Sequence, residues 1–245
     1  MENLVEVKNL KKKYGSKEAV KGISFNIQKN EIIGLLGPNG SGKTTTIGMM
    51  LGLLKPTNGE ILIDGKKIEE NRIETLKKIN FISPYIELPK KLTVKQNLIV
   101  YCKLYNVSNI KNRIEYLVEK LRLEDLLSRI TGELSSGQKN RVSLAKALIN
   151  NPPVLFLDEP TASLDPELGD FVRSFLENYR KDKKISILLA SHNMSEVTRL
   201  CKTVLMMKDG IIIDKGCPNE LLQKHGRENL EEVFLKLSRS KYELS

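Results

Sequence analysis

Gly37-Pro38-Asn39-Gly40-Ser41-Gly42-Lys43-Thr44 lies between an apolar run, Glu31 to Leu36, and the residues Ile47, Met50, Leu51 and Leu54, which recur at helical spacing. The stretch fits G-x-x-x-x-G-K-[ST] at a strand-to-helix junction, the context that this pattern requires. Glycines let consecutive backbone N–H groups curl inward toward phosphate oxygens, and the helix that follows adds its positive N-terminal end. Lys43 offers a point charge to the β and γ phosphates, and the Thr44 hydroxyl offers a ligand for Mg²⁺. A nucleotide site is expected here, contacted by Gly37, Pro38, Asn39, Gly40, Ser41, Gly42, Lys43, Thr44 and Thr45.

Working outward, Leu4 to Val7 and Ile23 to Ile27 read as strands, with turn signals at Tyr14-Gly15-Ser16 and Lys29-Asn30. The helix after Thr44 ends at Lys55-Pro56-Thr57-Asn58-Gly59. Ile61 to Ile63 and Ile79 to Ile82 read as further strands, and from Val94 to about Leu127 the periodicity turns helical, as in an insertion. Strand signals return at Val154 to Leu157, Ile185 to Ala190, Val204 to Met207 and Ile211 to Ile213, with helical stretches at Phe171 to Tyr179 and Met194 to Leu200. Alternating strands and helices predict an α/β fold with a mainly parallel sheet.

Val154-Leu155-Phe156-Leu157-Asp158-Glu159 is a continuous apolar run, as expected of a strand buried on both faces, ending in two carboxylates. Paired acids at a buried strand end suit an Mg²⁺ ion, held by Asp158, and a water nucleophile, oriented or deprotonated by Glu159. Leu134-Ser135-Ser136-Gly137-Gln138 precedes the helical pattern Val142, Ala145, Leu148, Ile149. By itself that stretch is an ordinary serine N-cap followed by glycine.

Composition narrows the classes. The 245 residues are 40% hydrophobic and 29% charged, enough apolar material for an ample core and too much for a disordered tether. No apolar run reaches the roughly 18 residues of a membrane-spanning helix, and the charged start MENLVEVKNLKKK lacks the apolar region of a secretory signal. A cytoplasmic protein is expected. Cys102, Cys201 and Cys217 are widely spaced and form no C-x-x-C pair, which suggests neither disulfides nor a zinc site. The formal charge of +10 could attract nucleic acid, but the lysines are scattered and aromatics make up 5%, so nucleic acid is not expected as a partner.

Taken in order, these motifs resemble the ATP-binding subunits of ABC transporters. Gly37 to Thr44 match the family's phosphate loop, Leu134 to Gln138 its signature sequence, Val154 to Glu159 its acidic strand, Ser163-Leu164-Asp165 its D-loop, and His192 its switch histidine. The resemblance implies one ATP-binding domain over 1–245: a P-loop NTPase core, an antiparallel β subdomain, a helical subdomain at about 85–150 and a C-terminal helical tail at about 219–245. It further implies that Ser135, Ser136, Gly137 and Gln138 of one subunit cover the γ-phosphate held by another, with two ATP molecules enclosed in a dimer, expected to be of identical chains. Asp165 would cross-connect the halves, His192 would contact the γ-phosphate, and adenine would stack on Tyr14. Glu159, His192 and Lys43 form the implied catalytic set, with Thr44 and Asp158 for the metal.

One departure stands out. Where the family usually has a glutamine, this chain reads Ser83-Pro84-Tyr85, and proline has no side-chain donor or acceptor for metal or water. Ser83 is the candidate substitute, acting directly or through water. The resemblance implies a separate membrane permease as partner, docking near Ser83 to Asn106, with the chain peripheral on the cytoplasmic side of the cell membrane. Asn229 to Leu235 resembles the ending common in subunits serving ABC-2 exporters. Two other readings stand beside it: a soluble ABC ATPase serving a non-membrane assembly, and a nucleotide-operated clamp of low turnover, motivated by Pro84.

Overall fold

The structure, a computed structural model, describes residues 3–84, 86–162 and 164–239. Tyr85, Ser163 and the last part of the expected tail lie outside the described residues. The chain divides into two compact units, 1–76 with 186–245, and 77–185.

In the first unit, β1 (Asn3–Tyr14) pairs antiparallel with β2 (Lys17–Gln28) and with β4 (Asn58–Ile63), which carries β5 (Lys66–Lys67) on its other edge. Both long strands run well past the apolar runs that announce them. Their ladder continues through pairs such as Lys11↔Lys21 and Lys13↔Glu18, because the pairing groups are backbone N–H and C=O and make no demand on the side chains. β3 (Ile32–Leu36), β8 (Ser186–Ser191) and β9 (Thr203–Lys208) run parallel, β3 lying between the other two, and β10 (Ile211–Gly216) closes this edge antiparallel to β9. All residues of β3 and β8 are buried, which is why both read as unbroken apolar or small-residue runs. α1 (Lys43–Met50) follows β3, and α7 (Met194–Leu200) follows β8. Leu35, Leu36, Met49, Met50 and Ile63 fill the core.

The second unit holds β6 (Ile79–Ile82) parallel to β7 (Val154–Asp158), with α3 (Val94–Leu104), α4 (Ile110–Leu121), α5 (Ser136–Leu148) and α6 (Pro166–Lys183). The short helix α2 (Arg72–Lys77) leads into it, and α8 (Pro218–His225) and α9 (Leu230–Arg239) end the described chain. Phe156, Leu98 and Leu117 are fully buried.

Two arginines tie α4 to α5 by capping each other's helix ends. Arg141 on α5 donates to the carbonyls of Leu121 and Arg122 at 3.1 and 2.6 Å. Arg113 on α4 donates from Nε to the Ile149 carbonyl at 3.1 Å, from Nη2 to the Leu148 carbonyl, and to the Tyr179 hydroxyl at 2.9 Å. Terminal carbonyls otherwise left without helical partners are thereby satisfied, and α5 is locked along its length. The architecture is α/β, with parallel strands, a separate antiparallel sheet and helices.

Candidate functional site

The turn from β3 into α1 is built by glycines, two of them where a side chain would collide with backbone and two in the left-handed region. A Cβ on Gly37 would sit 2.1 Å from the Met207 carbonyl oxygen, and one on Gly42 would meet the Ala19 carbonyl oxygen and Met207 Cε, each at 2.7 Å. Gly40 has open space around it but takes φ +81°, and Gly42 takes +108°, both in the left-handed region that glycine enters without steric cost. The Ser41 N–H donates to the Pro38 carbonyl at 3.2 Å, and the Ser41 carbonyl accepts from Gly210 N–H at 3.0 Å, fixing the loop on the β9–β10 hairpin.

Gly42 is the N-cap of α1 and supplies no side-chain acceptor to its first N–H groups. Those groups, with the helix dipole behind them, form a site for an anion. Lys43 is 5% exposed, and its ammonium folds back to donate to the Gly37 carbonyl at 2.7 Å and the Pro38 carbonyl at 3.2 Å. The Lys43 charge is therefore carried on the loop itself. Pro38, Asn39 and Gly40 are exposed at its crest, Thr44 is exposed in the first helical turn, and Thr45 is half-buried.

Tyr14 ends β1, 47% exposed, and faces Lys17 across the two-residue turn Gly15-Ser16. His192 is exposed immediately after β8. A buried brace shapes its turn: Ser191 Oγ donates to Glu196 Oε2 at 2.8 Å and accepts from Asn193 N–H at 3.0 Å, while Asn193 Oδ1 caps α7 by accepting from Glu196 N–H at 3.1 Å. The expected motifs assign no role of its own to Ser191 and do not include Glu196. The Asn193-x-x-Glu196 spacing, typical of a helix start, is the signal that points to them.

In the second unit, Asp158 is 1% exposed at the end of β7, and Glu159 next to it is half-buried with φ +52°. Ser135 and Ser136 are exposed at the start of α5. Ser135 forms a capping box: its Oγ accepts from Gln138 N–H at 3.3 Å, and Gln138 Oε1 accepts from Ser135 N–H at 3.0 Å. The Gln138 side-chain carbonyl is thus engaged within its own helix. Gly137 lies where a Cβ would come within 2.4 Å of Leu168 Cδ2, so any side chain there would require the Leu168 side chain of α6 to shift. Asp165 is exposed and caps α6, its Oδ1 accepting from Leu168 N–H at 2.9 Å. Ser83, Pro84, Ser136, Asn140 and Glu159 line one cavity of about 260 Å³, so the segment lacking the usual glutamine and Glu159 border the same space.

In the second unit the buried Asp158 carboxylate, and in the first the exposed Thr44 hydroxyl, are each a hard oxygen donor of the kind Mg²⁺ takes, and among the described residues no cluster of three or more His, Cys, Asp or Glu side chains could form an all-protein metal cage. Either donor by its chemistry suits an Mg²⁺ that keeps waters and phosphate oxygens among its ligands. No helix among the described residues is long and apolar enough to cross a membrane.

Residues 20–162 match the ABC transporter family. The chain is 36% identical over 232 residues to the Nod factor export ATP-binding protein I of Burkholderia orbicola, covering 94% of this chain and 76% of that protein. It is 36% identical over 234 residues to the bacitracin transport ATP-binding protein BcrA of Bacillus licheniformis, covering 94% of this chain and 75% of the relative. Among solved structures it is similar to an ATP-binding cassette captured as a dimer in a post-hydrolysis state with ADP and Pi, with TM-score 0.80 and 27% identity over 87% of this chain and 98% of that one. With a glycine-built strand-to-helix loop, a buried acidic strand end and likeness of this extent, the chain belongs to the ABC transporter family, as an ATP-binding, ATP-hydrolysing subunit.

Proposed function

We propose that this subunit powers a separate membrane permease, in an exporter of the ABC-2 type, by closing as a homodimer over two Mg²⁺–ATP. The observation that carries the export reading is the pair of relatives at 36% identity across 94% of this chain, one named for export of Nod factor and the other for transport of bacitracin. On this reading the chain stands peripherally on the cytoplasmic face of the membrane, held there by its permease.

The loop 37–45 grips the phosphates through backbone N–H groups and Lys43, and Tyr14 stacks on adenine. Asp158 and Thr44 are the residues that would hold Mg²⁺, which would supply positive charge against that of the phosphates. Glu159 orients the attacking water and accepts its proton, and His192 contacts the γ-phosphate. Ser135, Ser136 and Gly137 at the exposed start of α5 complete the nucleotide site of the opposite subunit, Gln138 supports them from the capping box, and Asp165 joins the halves. Two exposed serines at the start of a 13-residue helix support this reading, since such a helix end favours an anion and the subunit's own phosphate loop already holds its nucleotide. Ser83 stands in for the missing glutamine.

Glu159→Gln tests the assignment. The variant is expected to bind ATP with unchanged affinity, to lose hydrolysis by two orders of magnitude or so, and to elute as a dimer in Mg²⁺–ATP during size-exclusion chromatography. Undiminished hydrolysis would remove Glu159 from the mechanism. Affinity capture of the full chain from detergent-solubilised membranes should bring down a polytopic membrane protein; a soluble assembly in its place would favour the non-membrane reading.

A further inference from the structure

Glu159 leaves β7 with φ +52°, and the next residue is proline. A non-glycine residue in the left-handed region is uncommon, and a following proline restricts its backbone further. Such a conformation persists only where its surroundings over-determine it. Part of the hold is internal, since Ala162 N–H donates to the Glu159 carbonyl at 3.2 Å. A further hold comes from a different element: Asn140 Nδ2, on α5, donates to the Pro160 carbonyl at 2.6 Å. Pro160 lacks an N–H, so its carbonyl is the only backbone polar group through which that residue can be anchored.

Asn140 is one helical turn from Ser136, and both line the cavity that Glu159 also borders. Asn140 Oδ1 is buried and meets no hydrogen-bond donor. The amide is therefore only half satisfied, and the contact it does supply is the one to Pro160.

We propose that Asn140 is a positioning residue for Glu159. Through Pro160, α5 fixes the strained backbone that aims the carboxylate at its water. The helix whose exposed start meets the opposite subunit's nucleotide thereby also sets the geometry of hydrolysis at this subunit's own nucleotide. The inference rests on the reading of Glu159 as the water-activating group.

The test uses the full chain, with kcat and KM for ATP, ATP affinity by calorimetry and Tm measured for Asn140→Leu, Asn140→Asp, Asn140→Gln and Glu159→Gln. Asn140→Leu removes an acceptor that already lacks a partner but also the donor to the Pro160 carbonyl, so Tm should fall by a few degrees with the fold retained, while kcat at a temperature well below that Tm falls about tenfold or more through misaimed chemistry. KM and ATP affinity should stay within about twofold, because the phosphate loop is untouched. Asn140→Gln, which keeps a donor on a longer arm, should recover most of the rate, and Asn140→Asp, which keeps the shape without the donor, should not. Wild-type kcat in Asn140→Leu beside an inactive Glu159→Gln overturns the positioning role and leaves the parent reading standing; hydrolysis by Glu159→Gln overturns the parent reading itself. A loss confined to ATP affinity also overturns the proposal. Should Asn140→Leu unfold, equal rates in the Asp and Gln variants would overturn it.

Discussion

The ammonium of Lys12 stands 5.1 Å from the centroid of the Tyr14 ring and is fixed there by donating to the Lys55 carbonyl at 2.7 Å. Two backbone ties reinforce the same junction: Lys13 N–H donates to Thr57 Oγ1 at 3.0 Å, and Thr57 N–H donates to the Lys11 carbonyl at 2.8 Å. The end of β1 is thereby fastened to the loop that follows α1, the helix whose other end forms the anion site. An exposed tyrosine at a strand end gains a defined ring orientation from these contacts, which a stacking platform requires.

Lys12→Met should loosen that platform. A cation–π contact at an exposed site contributes about 0.5–1 kcal/mol, so ATP affinity measured by calorimetry should weaken about two- to fivefold with kcat unchanged. No change in a background already carrying Tyr14→Ala would show that Lys12 acts through the ring; an equal loss there would show that it does not.

Lys43→Ala removes both the charge and the two bonds by which the ammonium braces Gly37 and Pro38. The loss should appear as affinity, with ATP binding weakened by well over about tenfold, since charge-assisted contacts to phosphate are among the strongest available. Normal binding in calorimetry would require the phosphate-loop reading to be revised.

Ser135→Ala separates a structural from a functional role. Loss of the N-cap should lower stability by about 1 kcal/mol in urea denaturation, and ATP affinity should not change. If Ser135 also contacts the opposite nucleotide, hydrolysis falls further than this destabilisation accounts for. Stability and hydrolysis that both match the cap alone would confine Ser135 to the capping box.

Lys146 gives a pH dependence with a definite sign. Its ammonium donates to the Phe81 carbonyl at 3.0 Å and lies 4.6 Å from the Phe81 ring centroid and 5.6 Å from that of Tyr101; burial lowers its pKa to about 8. Below pH 8 the folded and unfolded states both carry the proton, and folding bears the cost of burying the charge. Between about 8 and 10.5 the unfolded chain holds a proton that the folded one has released, so stability rises with pH across that window. Relative to Lys146→Met, wild-type stability should therefore improve by about 1–2 kcal/mol between pH 8 and 10 in urea titrations. A flat difference would mean that the aromatic contacts offset the burial.

Much of this protein could be read along the chain. The glycine-rich loop 37–44 is a contiguous motif between an apolar run and a helical pattern, so its residue types and its place in the fold are both local properties. The same holds for β7 with its terminal acids, and for α7, expected at Met194 to Leu200 and found there. The lengths of β1 and β2 were less legible, because backbone pairing carries a strand through lysines that hydrophobic alternation does not mark.

Other features depend on residues far apart in sequence meeting in space. Asn140 reaches Pro160 across 20 residues, and Lys12 reaches Lys55 across 43. The left-handed backbone of Glu159 is invisible in its side-chain identity, and nothing in the string of letters distinguishes Gly137 as a ligand contact from Gly137 as clearance for the Leu168 side chain of α6. The order of residues determined which chemical groups this protein owns and the periods at which helices and strands repeat, since both are written in local neighbours. Only the tertiary structure decided which backbone turns are strained and which distant side chain holds each one, because that depends on close packing between elements that the sequence keeps apart.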